Sequence, residues 1–129
     1  MPSAGKLAVM VVDDQLTMRS LVRASLQQIG VNDVREYAGG AEALENLKTR
    51  PPNVVISDYN MPEMNGVDLL KKIRANPQYK STAFILLTGR ADRDLVVEAV
   101  KAGANNYLVK PFTAATLKQK LEQVVGALS

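Results

Sequence analysis

Leu7-Ala-Val-Met-Val-Val12 is an unbroken apolar run that stops abruptly at Asp13-Asp14. A strand half exposed to water alternates apolar and polar residues, and this one does not. It therefore reads as a strand covered on both faces, the condition of a parallel sheet. Val54-Val-Ile56 and Ala83-Phe-Ile-Leu-Leu87 repeat the pattern, and weaker runs lie at Val34 to Tyr37 and Tyr107 to Val109. Between them come stretches of helical period: Leu21, Val22, Leu26 and Ile29; Ala43, Leu44 and Leu47; Leu69, Leu70 and Ile73; Val96, Ala99 and Val100; and Leu117, Leu121, Val124 and Leu128. Gly30 and Gly103 sit where helices need a left-handed C-terminal residue, Asn76-Pro77 stops the third helix, and Thr113 is placed to cap the last. Strand and helix alternate five times. With right-handed crossovers this predicts an α/β fold, a doubly wound five-stranded parallel sheet of order 2-1-3-4-5 with helices on both faces. A ligand site in that topology belongs at the carboxyl ends of strands 1 and 3, where the winding reverses.

The 129 residues suit one domain, with residues 7–129 as its body and 1–6 as a loose tail. The composition, 47% hydrophobic and 22% charged, is that of a chain able to bury a core. With neither Cys nor His, disulfides, thiolate metal sites, a cysteine nucleophile and every histidine base or ligand are excluded. Carboxylate, hydroxyl, amine and backbone chemistry remain. The net charge of +3 is scattered rather than gathered into a basic run, so no nucleic-acid partner is expected. The first apolar run is too short for a signal peptide or membrane span, so the expectation is a soluble cytoplasmic monomer.

Polar residues stand where the topology puts the site. Asp13 and Asp14 follow the first strand, Asp58 follows the third, Thr88 ends the fourth and Lys110 ends the fifth. Two carboxylates about 5 Å apart repel by roughly 3 kcal/mol at an effective dielectric near 20, so three together call for a cation or a raised pKa. An oxygen-only site suits Mg²⁺. A hydroxyl and an ammonium beside such a site form a holder for a tetrahedral oxyanion, and the implied reaction is phosphoryl transfer to a carboxylate. Three aspartates, one lysine and Mg²⁺ sum to zero charge; an acyl phosphate on Asp58 leaves a surplus of about one negative charge. That surplus is expected to draw Thr88 inward and let Tyr107 turn into the space.

The segments "VMVVDDQ", "VVISDYNMPEMNG", "FILLTGR" and "NNYLVKPF", in that order and spacing, resemble the four signature segments of the response-regulator receiver domain, the CheY-like family. The resemblance implies that Asp58 accepts a phosphoryl group from a histidine kinase or a histidine phosphotransfer protein. It also implies that Asp13, Asp14, Asp58 and the backbone carbonyl of Asn60 hold Mg²⁺. Thr88 and Lys110 match the family's hydroxyl and lysine, Tyr107 matches its aromatic switch, and the Lys110–Pro111 bond is cis in the family. The protein is then a signalling domain that assists its own phosphorylation and dephosphorylation. Its output would pass through the face of helix 4, strand 5 and helix 5, here carrying Arg93, Asp94, Lys101, Asn105, Lys118 and Gln119. Chemotaxis is one such output; a phosphate sink or phosphorelay intermediate is the alternative.

Two residues depart from the best-known members or stand at the rim. Arg90 occupies a position that is acidic in the best-known chemotaxis members of the family it resembles, and Tyr59 directly follows the acceptor; with Asn60, both are candidates to set phosphoryl lifetime. Asn65 and Gly66 read as structural, a cap and a point of close approach. An aspartyl-phosphate phosphatase would place an acid two residues beyond its nucleophile, where this chain has Asn60. A flavodoxin-like carrier is disfavoured by acids where the flavin phosphate would sit.

Overall fold

The computed structural model describes residues 3–89 and 92–128. Five parallel strands, β1 (Ala8–Val12), β2 (Asp33–Tyr37), β3 (Val54–Asp58), β4 (Ala83–Thr88) and β5 (Asn106–Val109), form one sheet of order β2-β1-β3-β4-β5. Five helices alternate with them: α1 (Leu16–Ile29), α2 (Gly40–Thr49), α3 (Gly66–Arg74), α4 (Arg93–Ala102) and α5 (Ala114–Val125). The expected topology is the observed one. In-register pairs such as Val11 with Ile56, Ile56 with Ile85 and Leu87 with Leu108 align the strand ends along a common edge.

The period-2 geometry of a strand divides the apolar runs between two cores. Val9, Val11, Ile56, Ile85 and Leu87 point toward α1 and α5, where Val22, Leu26, Leu117 and Leu121 meet them. Met10, Val12, Val55, Phe84 and Leu86 point the other way, onto Leu47 of α2, Leu70 and Ile73 of α3, and Leu95 and Ala99 of α4. The three central strands are buried on both sides, whereas the edge strands β2 and β5 are only partly buried.

Gly30 and Gly103 end α1 and α4 with φ of 111° and 108°, the left-handed conformation in which a Cβ would be strained. The Thr113 side chain accepts from the Thr116 N–H at the start of α5. Asn65 and Asp68 form a reciprocal capping box on α3. That helix ends at Arg74, and Asn76-Pro77 opens a short 3₁₀ turn through Tyr79.

Three expectations are corrected. The segment expected as a loose tail is ordered from Ala4: Ala4–Lys6 form a 3₁₀ turn, and Ala4 is buried in the α1/α5 core. Leu21 and Val100, assigned to buried stripes, are exposed. In α4 the inward positions are Leu95, Ala99 and Ala102, an i, i+4, i+7 set; Val96, Val97 and Val100 make the helix apolar almost all round, so residue type alone could not fix its phase. Leu128 lies beyond the end of α5, although it still packs on the core.

Candidate functional site

Parallel strands deliver all their C-terminal residues to one edge, so residues far apart in sequence meet there. Asp13 and Asp14 leave β1, Asp58 ends β3, Thr88 ends β4 and Lys110 leaves β5. One carboxylate oxygen each from Asp13, Asp14 and Asp58 lies within 4.8 Å of the others. Lys110 Nζ is 2.9 Å from Asp58 Oδ1 and 3.7 Å from Asp13 Oδ2. Asp13 and Asp58 are buried while Asp14 is exposed. The pocket is therefore acidic by two net charges and open on one side.

Burial raises the Asp13 carboxyl above the ordinary carboxylate range, and the neighbouring Asp58 and Asp14 charges push the same way; the Gln15 N–H and Lys110 pull it down. The backbone fixes how that carboxylate faces. Gln15 N–H donates to Asp13 Oδ1 at 2.9 Å, which leaves Oδ2 buried with no hydrogen-bond partner. A buried carboxylate oxygen without a donor is costly. A hard cation would satisfy it, and the donor set of carboxylate oxygens with no nitrogen or sulfur suits Mg²⁺. The residues present fit the ion.

A cleft of 470 Å³ lined by Tyr59, Asn60, Thr88, Gly89, Asp92, Asp94, Leu95 and Glu98 opens beside the acceptor. Thr88 is buried, and its carbonyl accepts from Lys110 N–H at 2.8 Å, so the ends of β4 and β5 are tied together at the site. The Lys110–Pro111 bond is cis. Tyr59 N–H donates to Leu87 O at 2.8 Å, and Gly66 N–H donates to Tyr59 O at 2.9 Å. This close return of the chain is why position 66 has no side chain: a Cβ there would lie 2.5 Å from the Asp58 carbonyl oxygen. Asn60 is exposed at the mouth and Tyr59 half-buried. Arg90 lies outside the described residues.

Tyr107 pairs with Leu86 in the β4–β5 register and packs on the α2–α4 side of the sheet, the side toward which Leu86 and, two residues on, Thr88 point. Lys120 of α5 reaches round the open edge of β5 and places its ammonium 4.9 Å from the Tyr107 ring centroid, a cation–π distance. Of the surface residues singled out on α4, β5 and α5, Arg93, Asp94, Lys101, Lys118 and Gln119 are exposed. Asn105 is exposed as well, but its side-chain oxygen is engaged within the fold, Oδ1 accepting from Phe84 N–H at 2.8 Å and Arg74 Nη2 at 2.9 Å.

One neighbour of the pocket carried no sequence signal. Arg19, in the second turn of α1, donates from Nη1 to the Asp13 carbonyl at 2.6 Å. A bond to a backbone carbonyl leaves no trace in the identity of the accepting residue.

The receiver-domain model, described as "Response regulator receiver domain", matches residues 9–122. The chain is 46% identical over 121 residues to chemotaxis protein CheY1 of Helicobacter pylori strain J99, covering 93% of this chain and 98% of that protein. It is 44% identical to chemotaxis protein CheY-3 of Vibrio cholerae, covering 95% and 94%. Among solved structures, CheY4 of Vibrio cholerae superposes with a TM-score of 0.86 at 37% identity, covering 92% of this chain and 98% of that one. The receiver domain of sensor histidine kinase PA1611 from Pseudomonas aeruginosa, solved with a magnesium ion coordinated in its active-site cleft, superposes with a TM-score of 0.84 at 26% identity, covering 94% and 98%. With the strand order, the acidic edge and these likenesses in agreement, the chain belongs to the response regulator receiver domain family.

Proposed function

We propose that Asp58 accepts a phosphoryl group from a phosphohistidine, on a histidine kinase or a histidine phosphotransfer protein, and that the acyl phosphate switches binding to a downstream protein. The observation that carries this reading is the setting of Asp58: a buried carboxylate, 2.9 Å from the Lys110 ammonium and within 4.8 Å of two further carboxylates, followed directly by Tyr59 and Asn60, which line an open cleft. An Asp58 oxygen attacks phosphorus, the P–N bond breaks, and the ring departs as neutral imidazole with a proton on its other nitrogen. Lys110, 2.9 Å from Asp58, would oppose charge on the transferring oxygens, and the hydroxyl of Thr88, the last residue of β4, would donate to one of them. Mg²⁺ held by Asp13, Asp14, Asp58 and the Asn60 carbonyl would supply the positive charge that lets an anion approach this acidic pocket.

After transfer, Asp58 has exchanged one negative charge for up to two on the phosphoryl group. Thr88 then moves toward the new oxygens and Tyr107 turns into the space it vacates, altering the surface formed by α4, β5 and α5. Tyr59 and Asn60 at the cleft mouth, with Arg90, set the access of water and hence the lifetime of the acyl phosphate. The likeness to CheY proteins over nearly the whole chain favours chemotaxis as the pathway. Among the described residues no helix is long and apolar enough to cross a membrane.

Incubation with acetyl phosphate, with and without Mg²⁺, followed by intact mass measurement tests the chemistry. A single Mg²⁺-dependent, hydroxylamine-sensitive phosphoryl adduct is expected, absent from Asp58→Asn. An adduct that persists in Asp58→Asn, or none in the parent protein, would refute the assignment.

A further inference from the structure

Resting on the reading of Asp13 as a cation ligand, we infer that Arg19 is a positioning residue for the acidic pocket: braced by Glu36, its guanidinium fixes how Asp13 presents the one oxygen that has no hydrogen-bond donor and so sets the affinity for Mg²⁺. Three of the four polar groups of Asp13 are held by the protein. Its N–H donates to Tyr37 O at 3.1 Å, its carbonyl accepts from Arg19 at 2.6 Å, and its Oδ1 accepts from Gln15 N–H at 2.9 Å. The fourth, Oδ2, is the orphan that faces Lys110. The orientation of that oxygen is thus decided by the turn between β1 and α1. Of the two bonds that tie the Asp13 backbone to other parts of the fold, the one from Arg19 is made by a side chain and can be changed without rebuilding the sheet.

Arg19 is itself constrained. Its side chain is only 16% exposed, and its Nε stands 3.7 Å from Glu36 Oε1. Glu36, on β2, also pairs with Arg23, whose Nη2 donates to Val34 O at 2.8 Å. The edge strand β2, α1 and the Asp13 carbonyl are thereby joined in one network. Glu36 is shared between Arg19 and Arg23, so this cluster keeps one net positive charge; that charge by itself would oppose a cation, and what Arg19 gives the pocket is order rather than potential. Partners that orient a metal ligand without touching the metal are commonly worth 10 to 100-fold in affinity.

The test is a Mg²⁺ titration of the purified protein and of Arg19→Gln, Arg19→Lys and Glu36→Gln. It is followed by the amide resonances of Gln15 and Leu16 and, independently, by the Mg²⁺-dependent shift in Tm. Arg19→Gln is expected to weaken Mg²⁺ binding about ten-fold at the low end of that range. Arg19→Lys, which keeps one donor to the carbonyl but loses the fork to Glu36, should fall between it and the parent, and Glu36→Gln should weaken binding a few-fold. A purely structural role would lower the stability of the metal-free and metal-loaded forms equally and leave the affinity unchanged. Unchanged or tighter binding in a folded Arg19→Gln, or in Arg19→Lys should the first variant not fold, overturns the inference alone. A parent protein that does not bind Mg²⁺ overturns the cation site and the inference with it.

Discussion

The two edges of the sheet handle buried charge in opposite ways. At the N-terminal edge, Arg74 leaves the end of α3 and spends its guanidinium on four acceptors: Gly103 O at 3.1 Å, Tyr79 O at 3.4 Å, Thr82 O at 2.7 Å and Asn105 Oδ1 at 2.9 Å. One cation ties α3, the 3₁₀ turn and the α4–β5 connection together, and Gly103 has no Cβ because Arg74 Nε would be 2.9 Å from it. At the C-terminal edge, three carboxylates face one ammonium, and a buried oxygen of Asp13 has no donor. The first edge is satisfied by the chain itself. The second leaves an excess of carboxylate and a buried oxygen without a hydrogen-bond donor, with Lys110 as its nearest cation at 3.7 Å, and that difference separates a structural joint from a candidate site.

Replacing Arg74 by Met breaks the contrast most severely. The buried Thr82 carbonyl and the other acceptors lose a charged donor, at a cost of about 2 to 3 kcal/mol. The Tm should fall by about 10 °C, while the Mg²⁺ affinity stays that of the parent; a loss of Mg²⁺ binding in step with stability would show that the edges are not independent.

Asp13→Asn tests the other edge, with the opposite sign. Removing one of three like charges and a buried ionised group should stabilise the metal-free protein by about 1 to 2 kcal/mol, read as a rise in denaturation midpoint. It should also abolish the stabilisation that Mg²⁺ gives the parent. A metal-free Asp13→Asn protein less stable than the parent would show that Lys110 already compensates the cluster.

A smaller effect is expected at the flank of the site. Lys120→Met removes the cation from the Tyr107 ring, an interaction worth about 0.5 to 1 kcal/mol where partly exposed. The Tyr107 ring resonances should shift and broaden as the ring samples more than one rotamer, with Lys120→Arg restoring the parent spectrum. Identical ring signals in all three proteins would remove Lys120 from the account of Tyr107.

The smallest effect lies in the surface cluster of β2, which is paired like the N-terminal edge but open to water. Hydrogen bonds from Arg35 hold the Asp33 carboxyl below its ordinary 3.8, with Arg50 adding to them. A depressed carboxylate contributes stability that is present above the unfolded value and is lost as pH falls through the lower folded one. Acid titration should therefore unfold Asp33→Asn with a slightly shallower pH dependence below about pH 4. A profile superimposable on that of the parent would mean that solvent screens the cluster fully.

Much of this was legible in the order of residues. Non-alternating runs identified the central strands, because only a strand covered on both sides can be apolar at every position. Asp13, Asp58, Thr88 and Lys110 were readable as a group because strand ends in a parallel sheet share an edge. Asn65, Thr113, Gly30 and Gly103 were readable because caps and left-handed turns demand particular residue types. The phase of α4 was not legible, since Val96, Val97 and Val100 are as apolar as the buried Leu95 and Ala99. Nor was the anchoring of Ala4, which depends on a core surface assembled from α1 and α5.

Local chemistry thus determined, from the chain alone, the strands, their order, the edge where function would lie and the residue types gathered there. The fold alone decided which oxygen of Asp13 lacks a donor, that Arg19 grips the Asp13 carbonyl, that Lys120 reaches Tyr107 from the opposite face, and that Arg74 closes the far edge. The reason is physical. Periodicity and caps are written in neighbouring residues, whereas a hydrogen bond to a backbone carbonyl, or a charge crossing a sheet edge, depends on distances that exist only once the chain has packed.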